Sequence, residues 1–432
     1  MSKNSKINIL YGKDGYNLNI KKTWEPSIIR KPQMPIIEKI NQEVLNAFLD
    51  PLGCEPLKKL ANKVNSACIL VCDITRPVPN NLFIEELIEN LLEGGIKKEK
   101  ILILIATGLH RPATPEEIIS IIKSKYILKN FKIVNHDAKN KNEHKYIGTT
   151  TKGNKISLDK RFLDADLKIA TGLVEPHFMA GFSGGRKVVA PGIAQEDTIR
   201  TLHSARYMEN PFSRNCNLIN NPVHEDQLEI IKMIGPVYSV NCIIDETRNL
   251  SFINFGDIIQ SHDAAVEFIN SFATVTTNKK FDTVVTSCAG SPLDSTFYQT
   301  IKGMISPLNI LKEGGDLIIL SECKEGMGSR EFKNSQQKLL NKGIKRFLSD
   351  ISKKQFADID EWQTEKQVEA LKKANVYLYC SGIKKKDKDL VLANVITNPE
   401  LTIDESIDKH KNNKIAIIPE GPYVVPIYGG FN

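Results

Sequence analysis

No C-x-x-C pair occurs among the eight cysteines, which are dispersed over 432 residues. Nothing near Cys68 and Cys72, four apart in a strand-like stretch, has the look of a redox loop, so reduced and mostly buried thiols are expected. Long apolar runs are also missing. The longest, ILILIA from Ile101 to Ala106, is far too short to span a bilayer. The stretch MSKNSKINILYG has no long apolar core of a secretory leader, so a cytoplasmic protein is expected. The net charge of +7 is modest for this length, and the densest basic run, GIKKKDKD, carries aspartates and no interleaved aromatics. That pattern reads as a solvated face and not as a nucleic-acid surface, while acidic small molecules remain compatible with it. Internal repeats and low-complexity segments are lacking as well.

What is present is an ordinary globular composition, 41% hydrophobic and 25% charged, in a chain too long for one typical core. Short apolar strands alternate with polar turns and amphipathic helices. ACILVCDITRP reads as a buried strand ending at Asp73, KILILIATGLHRP as a second, FKIVNHDA as a third and DLKIATGLVEPHF as a fourth. Between them, TPEEIISIIK reads as a helix with Thr114 as N-cap, Pro115 in its first position and Glu117 closing a capping box. Strands alternating with helices predict an α/β fold, two α/β domains with mostly parallel sheets. The alternation restarts near FDTVVTSCAG, which places a boundary near 270–280. Residues 1–272 are expected to form an N-terminal domain and 273–413 a C-terminal one, with the tail 414–432 returning to the first.

In open α/β sheets ligands bind at the carboxyl ends of the strands, and the unusual polar residues fall there. Asp73, Thr75 and Arg76 follow the first strand, His110 and Arg111 the second, and His177 the fourth. Each alone has a bland reading, as a cap, an ion-pair partner or a hydrogen-bonded structural histidine. Several such ends in one crevice favour a site. After His177 comes AGFSGGRKVV, whose two glycines permit a tight turn and whose Arg186 and Lys187 add charge. Its spacing matches neither the P-loop nor the dinucleotide fingerprint. An arginine beside Lys187 also favours a neutral, nucleophilic amine, so covalent attachment of a cofactor is an open possibility. His136 and His144, with Asp137, lie in a very polar segment and are expected as surface loop residues; His224 has no assigned role.

Together and in this order, DITRP, TGLHR, EPHFMAGFSGGRK, LHSAR and YQTIKG resemble the nickel-pincer lactate racemase family, and the resemblance spans nearly the whole chain. It implies two α/β domains with the active site in the cleft between them. It implies a nickel-pincer nucleotide, a nickel complex of a pyridinium mononucleotide with two thiocarbonyl arms, bound covalently at Lys187, with His203 as the one protein ligand to nickel. Asp73, Thr75, Gly184 and Gly185 fall on the cofactor side. His110 and His177 match the family's two bases, one for each enantiomer, in a reaction that removes the α-hydrogen of a 2-hydroxyacid as hydride and returns it to the other face. Arg76, Tyr298, Gln299, Lys302 and Trp362 match substrate-binding positions, and proteins that synthesise the cofactor are implied as partners.

Read without the resemblance, Gln299 and Lys302 share one helix face, where a solvated edge is the plainer reading, and Trp362 could anchor a core. Three histidines could equally have suggested zinc. The expected function is therefore racemisation of a 2-hydroxyacid, lactate first. The alternatives are another acid such as malate, a longer aliphatic or a sugar acid, a non-catalytic cofactor-binding protein, and a zinc hydrolase.

Overall fold

The computed structural model describes residues 5–429; the first four and last three residues, the extremities of the expected domain and tail, lie outside that range. The chain divides into two compact units. One holds residues 33–202 and 210–271, the other 5–32, 203–209 and 272–429.

The first unit is built on a six-stranded sheet in the order Leu250–Asp257, Tyr238–Ile244, Leu167–Leu173, Ala67–Cys72, Ile101–Ala106, Lys132–Asn135. All neighbours are parallel except the edge strand Leu250–Asp257, which runs antiparallel to Tyr238–Ile244. The central strands have no polar face. Ile69, Ile103 and Ile169 are fully buried with Leu87, Ile88 and Leu91 of the Ile84–Glu93 helix, as a parallel sheet covered on both sides requires. The capping box forms as its sequence predicts: Thr114 accepts the Glu117 N–H and the Glu117 carboxylate accepts the Thr114 N–H.

The second unit has a fully parallel six-stranded sheet, ordered Asn394–Ile396, Ala374–Tyr379, Leu311–Leu320, Phe281–Ser287, Lys414–Ile418, Glu25–Ile28. The tail therefore departs from expectation. Lys414–Ile418 is a strand of this second sheet, between Phe281–Ser287 and Glu25–Ile28, and Val425–Tyr428 pairs with Thr274–Thr277. Its apolar run, with Ile415, Ala416, Ile417 and Ile418 all fully buried, takes a two-sided place that an edge or arm could not supply. The segment up to Pro32, expected with the N-terminal domain, goes with this unit because Glu25–Ile28 completes the same sheet. Among the described residues no helix is long and apolar enough to cross a membrane.

Because Ile417 sits in a core and not on a loose arm, Ile417→Ala should cost about 2–5 kcal/mol. Chemical denaturation checks this; an unchanged midpoint contradicts the placement.

Candidate active site

Three adjacent strands of the first sheet, Leu167–Leu173, Ala67–Cys72 and Ile101–Ala106, end side by side, and neighbouring strands lie about 4.8 Å apart. Their carboxyl ends carry Glu175 and His177, Asp73 to Arg76, and His110. Hydrogen bonds tie these ends together. Asp73 Oδ2 lies 2.6 Å from His110 Nδ1, and Asp73 Oδ1 accepts both the Thr75 hydroxyl at 2.6 Å and its N–H at 3.1 Å. Arg76 reaches Glu175 at 3.2 Å. Burial pushes the Asp73 carboxyl up, but the bonds from His110 and Thr75 outweigh it and hold the group below its ordinary value. Asp73 is thus an ionised acceptor, and His110 carries its hydrogen on Nδ1. Nε2 then presents a lone pair from a side chain 53% exposed, the arrangement of a general base held by a carboxylate.

His177 is held the other way round. It is buried, stacks on Phe178 at 5.2 Å, and its Nδ1 accepts the N–H groups of Met179 and Ala180, each at 3.2 Å. Its ring hydrogen is therefore on Nε2. Two short strands, Pro176–His177 and Gly181–Phe182, pair antiparallel and lead into the glycine turn.

In that turn Gly184 and Gly185 have φ of +78° and +44°. A Cβ on Gly185 would sit 2.7 Å from the His262 ring, so a side chain is excluded both by conformation and by space. Arg186 and Lys187 part company here. Arg186 is fully buried, its Nη1 3.0 Å from His262 Nδ1 and its Nη2 donating to the Ala180 carbonyl at 3.3 Å, and burial pulls the guanidinium down to about 9. It supports the turn from inside and is not a surface charge for an anion. Lys187 is only half buried, on the single helical turn Arg186–Val189.

The remaining candidates belong to the second unit. Tyr298, Gln299 and Lys302 are on the helix Phe297–Ile305, capped by Thr296. Trp362 Nε1 donates to the Tyr298 hydroxyl at 3.2 Å, Gln363 donates to the Tyr298 carbonyl at 2.6 Å, and burial lifts the Tyr298 hydroxyl well above its ordinary value. The His203 ring lies 4.6 Å from that of Trp362. Trp362 thus anchors a core and also backs His203. Gln299 Oε1 is buried with no hydrogen-bond partner.

Several residues escaped the sequence. Glu175 stands two positions before His177 and could have been suspected from that spacing alone. His262, on the Ile258–Ala273 helix, gave no signal. His136, expected on a surface loop, is 1% exposed and bonded through its ring to Thr107 and His144. Its segment is polar because those groups bond one another. Among the described residues no three His, Cys, Asp or Glu side chains gather into a metal-holding group, so the zinc arrangement has no ligand set there.

Two α/β units with largely parallel sheets, the first bringing an Asp–His pair and a second, oppositely held histidine to neighbouring strand ends, have the make-up of an enzyme. Residues 11–215 match the model of the lactate racemase N-terminal domain and 276–425 that of the lactate racemase C-terminal domain. The lactate racemase of Thermoanaerobacterium thermosaccharolyticum is 32% identical over 97% of this chain and 98% of its own length, and that of Lactiplantibacillus plantarum 31% over 89% and 90%. The structure of the lactate racemase apoprotein from T. thermosaccharolyticum superposes with a TM-score of 0.90 at 30% identity, covering 98% of this chain and all of that one. A crystal structure from Thermotoga maritima shares the fold, with a TM-score of 0.65 at 19% identity over 87% of this chain and 98% of that one. The chain belongs to the lactate racemase family, and with it to the isomerases.

Burial sets the acid stability of this unit. It holds His136 down at about 4, His224 at about 3 and His262 well below the ordinary value, with like charge from His144 or Arg186 adding to it. Unfolded imidazoles take protons near 6.5, so between there and about 4 the unfolded chain binds more protons and stability is lost as the pH is lowered. Glu365, which burial raises to about 8, acts in the opposite sense but lies in the second unit and is one group against three. The melting temperature should therefore drop from pH 7 to pH 5; scanning calorimetry at the two values decides, and a level or rising temperature contradicts it.

Proposed function

We propose that this chain racemises a small 2-hydroxyacid, lactate first, using a nickel-pincer nucleotide tethered at Lys187. One observation carries the reading: hydrogen bonds hold His110 and His177 in opposite tautomers, the first with a lone pair on Nε2 and the second with an N–H there. A racemase must take a hydroxyl proton from one enantiomer and supply one to the other, and such a pair meets both needs. A cofactor carrier without turnover has no use for it.

The side chains also suit the group. The Lys187 amine follows a turn that two positive-φ glycines keep open, the His203 imidazole is backed by Trp362, and Gln299 Oε1 lacks a partner. Lys187 would hold the cofactor covalently and His203 would ligate nickel, one imidazole beside soft sulfur donors. Asp73 and Thr75, expected toward the cofactor, act first on His110. When bound, the group supplies a reversible hydride acceptor for the carbon bearing the hydroxyl.

The residues of the chain handle the proton. His110 Nε2 accepts it from the hydroxyl of one enantiomer, and the resulting imidazolium is stabilised by Asp73. His177 Nε2–H donates a hydrogen bond to the substrate oxygen at the opposite face, its Nδ1 kept as acceptor by the Met179 and Ala180 N–H groups; the proton that oxygen regains is the one His110 took or one relayed from water, so His177 stays neutral. The reverse reaction returns each proton to its atom. In the first unit Arg76, set by Glu175, has the charge to hold a carboxylate, and in the second Lys302 and Gln299, one turn apart, have the same chemistry. Malate or a bulkier 2-hydroxyacid differs only in what the walls of the site must admit.

Protein made together with the cofactor-synthesis proteins should gain a covalent mass absent from Lys187→Ala. His110→Ala and His177→Ala should each lower turnover by ~100- to 10,000-fold. The deciding measurement is loss of optical purity in a panel of enantiopure 2-hydroxyacids, with and without loaded cofactor. Normal racemisation by either histidine variant refutes the roles given to the two histidines.

A further inference from the structure

His110 is held from a second direction. Thr107 follows the Ile101–Ala106 strand, and its carbonyl accepts the His110 N–H at 2.9 Å. The Thr107 hydroxyl lies 2.9 Å from the His136 carbonyl and 3.2 Å from His136 Nδ1. His136 Nε2 in turn lies 3.0 Å from His144 Nε2, and His144 Nδ1 lies 2.9 Å from the Asn140 carbonyl.

A carbonyl only accepts, so His144 Nδ1 carries hydrogen and, in a neutral ring, its Nε2 does not. His136 must then bring the hydrogen to the shared contact, which leaves its Nδ1 to accept the Thr107 hydroxyl. Every ring nitrogen is satisfied without an ion, so the pair is a hydrogen-bond relay and not a metal seat. One added proton reverses it. His144 then donates from Nε2, His136 accepts there and carries its own hydrogen on Nδ1, and the Thr107 hydroxyl turns to the His136 carbonyl, already within reach. The charged groups facing His136 are Asp137 and Asp159, which favour a proton on the pair, and Arg161, which opposes it and is itself bonded to Asp159 and Glu143. His136 is 1% exposed and His144 reaches solvent in part, so the added proton enters at His144.

We infer that His136 and His144 are positioning residues for His110, and that a proton taken up at His144 reverses the Thr107 hydroxyl and retunes the turn from Thr107 to His110. Only the consequence for turnover rests on His110 being a base.

The test is nitrogen-15 NMR of the full chain with labelled histidines, titrated from pH 8 to the acid limit of folding. His136 should begin as the Nε2–H tautomer and exchange to Nδ1–H as His144 titrates, with the His110 amide moving at the same midpoint. In His144→Gln, a change at a partly exposed position, that coupled movement should vanish. A His136 that keeps one tautomer while His144 titrates overturns the inference, as does a His110 amide that moves unchanged in the variant. If His144→Gln does not fold, the unmodified chain's titration decides alone. In the loaded enzyme, the acid limb of the pH–kcat profile should shift in His144→Gln. Intact coupling in a protein that racemises nothing refutes the proposed function and leaves the relay standing.

Discussion

The 2.6 Å bond between Asp73 and His110 joins two strand ends and settles where a hydrogen sits on an imidazole. Most of what the first unit can do chemically follows from it. A histidine in water samples both tautomers; one whose Nδ1 faces an ionised, buried carboxylate does not. The parallel sheet makes this bond possible, because Ala67–Cys72 and Ile101–Ala106 run in register and release their loops on the same side. Thr75 completes the carboxylate's shell, so the aspartate stays charged although it is almost wholly buried.

Two opposed arrangements of the same side chain then arise from ordinary backbone features. At His110 a side-chain acceptor fixes the ring; at His177 two backbone donors do so, presented by the turn between two short strands. The same turn leads to the double glycine, where Arg186 is drawn inward against His262 while its neighbour Lys187 is left half buried. Adjacent basic residues thus acquire different tasks because a short helical turn sends consecutive side chains in different directions.

The layered α/β plan was legible in the sequence because buried parallel strands such as ACILVC and ILILIA advertise themselves as unbroken apolar runs. The capping box at Thr114 was equally open to reading, since its chemistry is local. Candidate positions stood out where motifs cluster at strand ends, but their partners did not. Asp73 to His110, Arg76 to Glu175 and Arg186 to His262 span 37, 99 and 76 positions, and no periodicity encodes a contact of that range. The tail was misplaced for a related reason: an apolar strand announces that it will be covered, not which sheet will cover it. His136 was misjudged because a polar neighbourhood was equated with solvent.

The excursion of residues 203–209 into the second unit has a genetic consequence. The polypeptide passes from one unit to the other after positions 32, 202, 209 and 271, so no single cut in the coding sequence yields two self-sufficient halves. A fragment ending at Ser271 keeps Glu25–Ile28 while losing the one strand that flanks it, and keeps His203 without the tryptophan behind it. Recombination among relatives can exchange these units only by moving several segments at once, which binds the candidate tether lysine and the candidate nickel ligand into one inherited block.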